Sequence, residues 1–263
     1  FFTRQSPVTI KLLTKSNDLI NNFIPGIWSD YNVSRKICDW SKAILPNTDK
    51  EKLLIKKGLC INKKKITIIP NGVEKRFLNS DPNKFIKKYE IKDFILNVGH
   101  IGVERKNTLS LIKALSKINH PSVIIGKISN TKEGFECLKE AKKNKNLILI
   151  NGLDHDSEML ASAYAASKIF VLPSKYETPG IAALEAALSG ANIIITKYGG
   201  TQYYFKQFAT YINPYSTKEL ISAIENNLEK RKNEKLINHV KNNFLWEKVA
   251  EKTLNIYNEI LNR

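Results

Sequence analysis

The sequence has only three cysteines in 263 residues, Cys38, Cys60 and Cys137. An odd, scattered set without metal-ligand spacing excludes a disulfide scaffold and fits a reducing compartment. No apolar run approaches the roughly 18 residues of a membrane-spanning helix, which excludes an integral helical membrane protein. Phe1–Leu13 lacks the long apolar core and cleavage site of a secretory signal. Internal repeats and low-complexity tracts are absent too. Arginine is scarce, with 6 of the 42 basic side chains. Dedicated nucleic-acid binders use the bidentate guanidinium more heavily, and no aromatic platform is interleaved with the charge, so nucleic acid is not the expected partner.

What is abundant is lysine, and the formal net charge is +17. It is uneven: residues 1–76 carry 15 basic and 6 acidic side chains, the remainder 27 and 19. The first part therefore has more than twice the charge density of the rest. Two readings stand side by side. The chain is also rich in Ile and Asn, so part of the lysine is compositional drift; alternatively, the basic surface is selected for an anionic partner such as lipid or a phosphorylated substrate. The length is long for one domain and short for two full ones. The chain opens on Phe1 rather than Met, which raises the expectation that its start has been removed or that the numbering begins inside a longer protein.

From Asp93 onward, short β-branched runs alternate with amphipathic stretches. Strands are expected at 94–98, 122–126, 147–151, 168–173, 191–196 and 210–213, with helices near 108–117, 132–143, 157–166, 180–189 and 201–206. Runs such as Ser-Val-Ile-Ile-Gly and Asn-Ile-Ile-Ile-Thr are apolar on both faces, as buried parallel strands are. The alternation predicts βαβ units with right-handed crossovers in a doubly wound parallel sheet, a Rossmann-like α/β fold. Three helices close the chain, at 217–230, 234–243 and 246–261. The last carries Trp246, Val249, Ala250, Tyr257, Ile260 and Leu261 on one face, which should pack. Residues 1–76 read as the tail of a second α/β unit: helix 28–40, strand 43–46, helix 48–58 and strand 66–69. The turn Pro70-Asn71-Gly72 ends it, and the polar stretch 74–92 reads as a linker. The expected organisation is thus 1–76, 77–245 and a final helix 246–263.

An open parallel sheet binds ligands beyond the carboxyl ends of its strands, and three loops there carry chemistry. After the first strand, Gly99-His100-Ile101-Gly102-Val103-Glu104-Arg105-Lys106 leads into a helix. Its glycines admit close backbone approach, and its cations either reach an anion beside the helix start or are only a solvated pair. After the fourth strand comes Ser174-Lys175-Tyr176-Glu177-Thr178-Pro179-Gly180-Ile181, with Glu185 about one and a half turns into the helix. The N–H groups of Gly180 and Ile181 suit a phosphate, and two flanking carboxylates suit hydroxyls, a combination that fits a sugar nucleotide. The plainer alternatives are a helix-start carboxylate at Glu177 and an ordinary helical glutamate at Glu185. The third loop, Lys197-Tyr198-Gly199-Gly200-Thr201, is glycine-rich and could be only a tight turn.

Together these segments resemble the retaining glycosyltransferases of family 4, which have the two-domain GT-B fold. Glu177 and Glu185, with seven residues between them, match that family's E-x7-E motif in the setting PSKYETPGIAALEAALSG. VGHIGVERKN resembles its first phosphate loop, ITKYGGT its glycine pair and IIPNGV its crossing segment; the helix from Trp246 resembles the one that returns to the N-terminal domain. The resemblance implies that Lys106 and Arg105 hold a donor diphosphate, with Gly99 and His100 in the same loop. It further implies that Gly180 and Ile181 bind the distal phosphate, Glu185 the ribose hydroxyls, and Glu177 the transferred sugar as the catalytic residue. It implies a UDP- or GDP-linked sugar donor and no metal or other cofactor, since basic side chains and a helix dipole neutralise the leaving diphosphate. Retention by front-face attack and by a covalent intermediate both stay open.

Three departures qualify the match. His100 stands where the family commonly has arginine, Tyr203 where it often has glutamate, and by the resemblance the front of an N-terminal, acceptor-side domain is expected to be missing. The resulting expectation is a hexosyltransferase working on a saccharide or lipid-linked acceptor in surface-glycan assembly, cytoplasmic and peripheral at the inner membrane face. The alternative is a non-catalytic sugar-nucleotide-binding module that needs a partner for the missing domain. Among other residues, His155 lies in a loop at the expected crevice and could face the donor. His120 and His239 read as surface residues, and Cys137 as a helix-packing thiol.

Overall fold

The computed structural model describes residues 5–24 and 26–262. Phe1–Arg4, Pro25 and Arg263 lie outside the described residues, so the charges of Arg4 and Arg263 have no assigned place. The chain folds as two compact units, one of residues 1–71 with 247–263 and one of Gly72–Trp246.

The larger unit is built on six strands, β1 (Phe94–Val98), β2 (Ser122–Ile125), β3 (Leu147–Ile150), β4 (Ser167–Leu172), β5 (Asn192–Thr196) and β6 (Thr210–Ile212). They form one parallel sheet in the order β3-β2-β1-β4-β5-β6. β1 to β5 are rich in Val, Ile and Leu on both faces, as strands covered on both sides are. Phe94, Leu96, Val123, Ile125, Phe170 and Leu172 point into one core. Ile95, Ile124, Ile169, Val171 and Ile194 alternate with them into the other. Helices α5 (Thr108–Leu115), α6 (Lys132–Ala141) and α10 (Thr217–Leu228) cover the second core. Helices α7 (Glu158–Ala166), α8 (Ile181–Leu188) and α11 (Glu234–Phe244) cover the first. Cys137 is a buried thiol in α6, and burial pushes its pKa up to about 11. The strand order reverses between β1 and β4, so a crevice opens beyond their carboxyl ends, where such sheets bind ligands.

The stretch 74–92 is not a linker. A 3₁₀ turn at Lys75–Asn79 and helix α4 (Asn83–Tyr89) fold onto the first core, where Phe77 and Phe85 are fully buried. Phe85 stacks on Phe94 at 5.2 Å, and its N–H donates to Ser162 Oγ at 2.8 Å. The abundant charge of this stretch masks a stripe of Phe85, Ile86 and Tyr89 at helical spacing. The unit also closes on itself. Val73 N–H donates to Phe244 O at 2.7 Å, and Trp246 N–H donates to Val73 O at 3.2 Å. His120 and His239 are half-buried residues at the surface, with ring nitrogens 2.8 and 2.9 Å from the carbonyls of Asp93 and Tyr204.

In the smaller unit, α1 (Pro7–Phe23) is a helix the sequence reading did not anticipate; α2 (Asp30–Trp40) and α3 (Asp49–Leu53, continuing into a π turn at Leu54–Gly58) match it in outline. Ser6 caps α1 by accepting from Thr9 N–H, with Pro7 at the first helical position. Ile10, Leu54, Leu59, Ile61 and Ile66 form its core. The two expected strands reduce to one bridge, Ile44 with Ile66. The final helix α12 (Trp246–Leu261) buries Val249 as expected, but Ile256 rather than the rest of the expected face: Tyr257 is 55% and Leu261 81% exposed. No described helix is long and apolar enough to cross a membrane.

Candidate functional site

The crevice at the strand-order reversal is a cavity of about 510 Å³. Gly99, His100, Lys106, Glu177, Gly180, Ile181 and Glu185 all line it. Seven of the eight residues that the resemblance implies for the donor site therefore meet in one space, and His155, expected at the crevice, lines it too. The eighth, Arg105, is not in the lining. Its Nη1 donates to Tyr176 O at 3.0 Å and approaches Glu177 Oε1 at 3.2 Å, so it braces the carboxylate.

The two glutamates are buried, Glu177 at 7% and Glu185 at 4% exposure. Buried carboxylates need partners, and both have them. Glu177 Oε1 accepts from Lys106 Nζ at 2.6 Å and from Ser174 Oγ at 2.8 Å. Glu185 Oε2 accepts from Tyr164 Oη at 2.7 Å, and Oε1 lies 3.0 Å from His155 Nε2. Burial first, and then the adjacent Glu185 carboxylate, push the Tyr164 phenol well above its ordinary value, so it stays a donor. Tyr164 was not legible as a site residue. Its one signal is a single large polar ring in the alanine-rich run of α7.

Backbone geometry fixes Glu177. The third loop, which could have been only a tight turn, runs beside it: Glu177 N–H donates to Tyr198 O at 3.2 Å, and Gly200 N–H donates to Glu177 O at 2.9 Å. Gly199 sits between them with φ +110°, and a Cβ there would lie 1.7 Å from Glu177 O. Only glycine fits. Asn107 performs a similar service for the first loop. Its side-chain amide donates to Pro173 O at 3.1 Å and Pro214 O at 2.8 Å, tying the loop with Lys106 to the ends of β4 and β6.

Gly180, at φ +69°, caps α8 in a left-handed conformation. Its carbonyl accepts from Ala183 and Leu184, while no protein acceptor takes the N–H groups of Gly180 or Ile181 among the described residues. A helix start with free donors, a lysine across the cavity and two buried carboxylates together suit an anionic, polyhydroxylated ligand. One group with metal-ligand reach, Glu74, His155 and Asp156, lies near this site. Arg76 pairs with Glu74 at 2.6 Å and so already supplies a cation there.

A family model described as "Glycosyl transferases group 1" matches residues 81–243, more than half the chain. An uncharacterized glycosyltransferase of Methanocaldococcus jannaschii is 26% identical over 179 residues, covering 62% of this chain and 44% of that protein. The chain therefore spans less than half the length of that curated relative. A glycosyltransferase structure from Rickettsia africae superposes with a TM-score of 0.76 at 22% identity, over 89% of this chain and 69% of that one. The Anabaena protein HepE, solved with UDP and glucose, superposes with a TM-score of 0.73 at 15% identity, over 87% and 66%. At those identities the structures speak for the GT-B-type fold. With the family match spanning the sheet, the cavity and both glutamates, the chain belongs to the glycosyl transferases group 1 family.

Proposed function

We propose that this chain binds a nucleotide-sugar donor, UDP- or GDP-linked, and takes part in retaining transfer of a hexose to a saccharide or lipid-linked acceptor. The observation that carries the reading is the convergence of Glu177, Glu185, Lys106 and the free α8 start in one cavity. In this reading Lys106, with Arg105 behind it, exchanges Glu177 for the incoming diphosphate. The N–H groups of Gly180 and Ile181 and the positive end of α8 take the distal phosphate. Leaving-group charge is thereby met by fixed donors, which accelerates departure because they need no reorganisation. Released from Lys106, Glu177 is left to accept hydroxyls of the transferred sugar beside its reacting carbon, and Glu185 accepts those of the ribose. No resident metal is invoked.

The smaller unit supplies the acceptor side in this reading, and the dense lysine of residues 1–76 favours an anionic membrane surface at the cytoplasmic face, where lipid-linked saccharides are displayed. A thermal-shift panel of nucleotide sugars tests the donor half directly, followed by isothermal titration. A uridine or guanosine diphosphate sugar should bind, and Lys106→Ala should weaken it by about 10- to 100-fold, the worth of one charge-assisted contact. Absence of binding at millimolar concentration would sink the reading. Binding without transfer to any saccharide acceptor would favour a non-catalytic sugar-nucleotide module instead.

A further inference from the structure

The loop after β3 carries His155 into the cavity wall. Its Nε2 lies 3.0 Å from Glu185 Oε1; its Nδ1 lies 3.2 Å from Asp156 Oδ1 and 3.6 Å from Glu74 Oε1. Three carboxylates thus face one ring, from α8, from the loop itself and from the segment before the 3₁₀ turn. Among the described residues Arg76 is the cation facing it, with Nη2 3.4 Å from His155 Nδ1. The Arg76 guanidinium donates to His155 O at 2.5 Å, pairs with Glu74 at 2.6 Å and lies 4.4 Å over the Phe77 ring. Phe77 in turn meets Tyr164 edge-on at 5.5 Å and His155 at 6.2 Å. The loop backbone is therefore held by the segment that ties into the core, and the His155 side chain, 55% exposed, is aimed at Glu185.

Glu185 is almost wholly buried, so few of its lone pairs face the cavity. Tyr164 holds Oε2 from the buried side, and His155 holds Oε1 from the cavity side. A vicinal diol that binds a carboxylate bidentately donates one hydrogen bond to each oxygen. We propose that His155 is a positioning residue that latches Glu185 in the empty site, and that a donor's ribose hydroxyls must displace it. This rests on the donor reading above. A neutral imidazole donates from one nitrogen only and an imidazolium from both. With carboxylates on both sides the charged ring is favoured: the hydrogen bond to Glu185 foremost, against the opposing effect of burial, raises the His155 pKa above the ordinary value. The latch is strongest when the ring is charged, so the donor binds more tightly as His155 loses its proton.

Two measurements on the intact chain test this. In the ligand-free protein, NMR titration of the His155 ring, assigned through its loss in His155→Ala, should give a midpoint that falls in Glu185→Gln. An unmoved midpoint would overturn the latch. Titration calorimetry with UDP-glucose and GDP-mannose, whose diphosphates keep their charge over the range, should give an affinity that rises severalfold from about pH 5 to 8. In His155→Ala the affinity should be nearly flat and at least equal to the best wild-type value. A wild-type profile that is flat, or that His155→Ala reproduces, overturns the proposal. If neither protein binds either nucleotide sugar while the midpoint still falls in Glu185→Gln, the donor reading and the competition fail together, and the His155–Glu185 tie stands as a structural contact.

Discussion

Glu177 and Glu185 are buried to nearly the same degree, yet their partners are of opposite kinds. Glu177 is met by fixed cations, Lys106 at 2.6 Å and Arg105 at 3.2 Å. Glu185 is met by a phenol and an imidazole, one neutral and one titratable. A carboxylate clothed in cations is already neutralised, and it gives them up only to a ligand that brings negative charge. One clothed in weaker donors keeps its charge and exchanges partners with hydroxyls. Under the proposed donor reading, that difference puts the anionic part of the ligand on the Lys106 and Gly180–Ile181 side and the ribose hydroxyls on the Glu185 side.

The harshest way to break the contrast is Gly199→Ala. The added methyl would meet Glu177 O at 1.7 Å on a backbone at φ +110°, so the third loop must move and Glu177 with it. The cost should be about 3 kcal/mol, a fall of roughly 6–12 °C in Tm by calorimetry, with nucleotide binding lost as well. Next is Tyr164→Phe, which leaves Glu185 Oε2 without its buried donor. That change should cost about 1–3 kcal/mol in chemical denaturation while sparing the Glu177 side. Asn107→Ala should come below it at about 1–2 kcal/mol, because it leaves two buried carbonyls unsatisfied; the same change should loosen Lys106 and weaken nucleotide binding in titration calorimetry.

The smallest effect belongs to His155→Gln and appears only with pH. Since the folded pKa of His155 is raised, its contribution to stability is fully present below the unfolded value of about 6.5 and is lost as pH rises through the folded one. The wild-type advantage in Tm should therefore be largest in acid and vanish in mild alkali. An advantage that grows with pH would contradict the assigned contacts.

Much of this was legible in the sequence because buried parallel strands advertise themselves. All six expected strands correspond to observed strands, and seven of the eight residues implied for the donor site share the cavity. What failed was reading charge as exposure. The lysines around Phe77 and Phe85 made a folded, core-covering segment look like a linker. The partners that hold the glutamates were illegible for another reason. Ser174 sits three residues before Glu177 in the same loop, and His155 was expected at the crevice. Tyr164 approaches Glu185 from another helix, and nothing in the sequence names any of the three as the partner of a particular glutamate. The face buried by α12 depends likewise on what it packs against, which periodicity alone does not reveal.

The stitch between Val73 and the segment at Phe244–Trp246 has a consequence for engineering. The polypeptide enters the larger unit and leaves it at adjacent points, and a methyl at Gly72 would lie 2.4 Å from the Trp246 indole. In topological terms the unit is an insertion: its segment of chain lies between the two stretches that make up the smaller unit. Such modules tolerate excision and transplantation because closing their ends requires almost no new loop. Residues 72–246 should therefore be expressible as a free-standing piece, and its cavity could be grafted into a different host without redesigning its core.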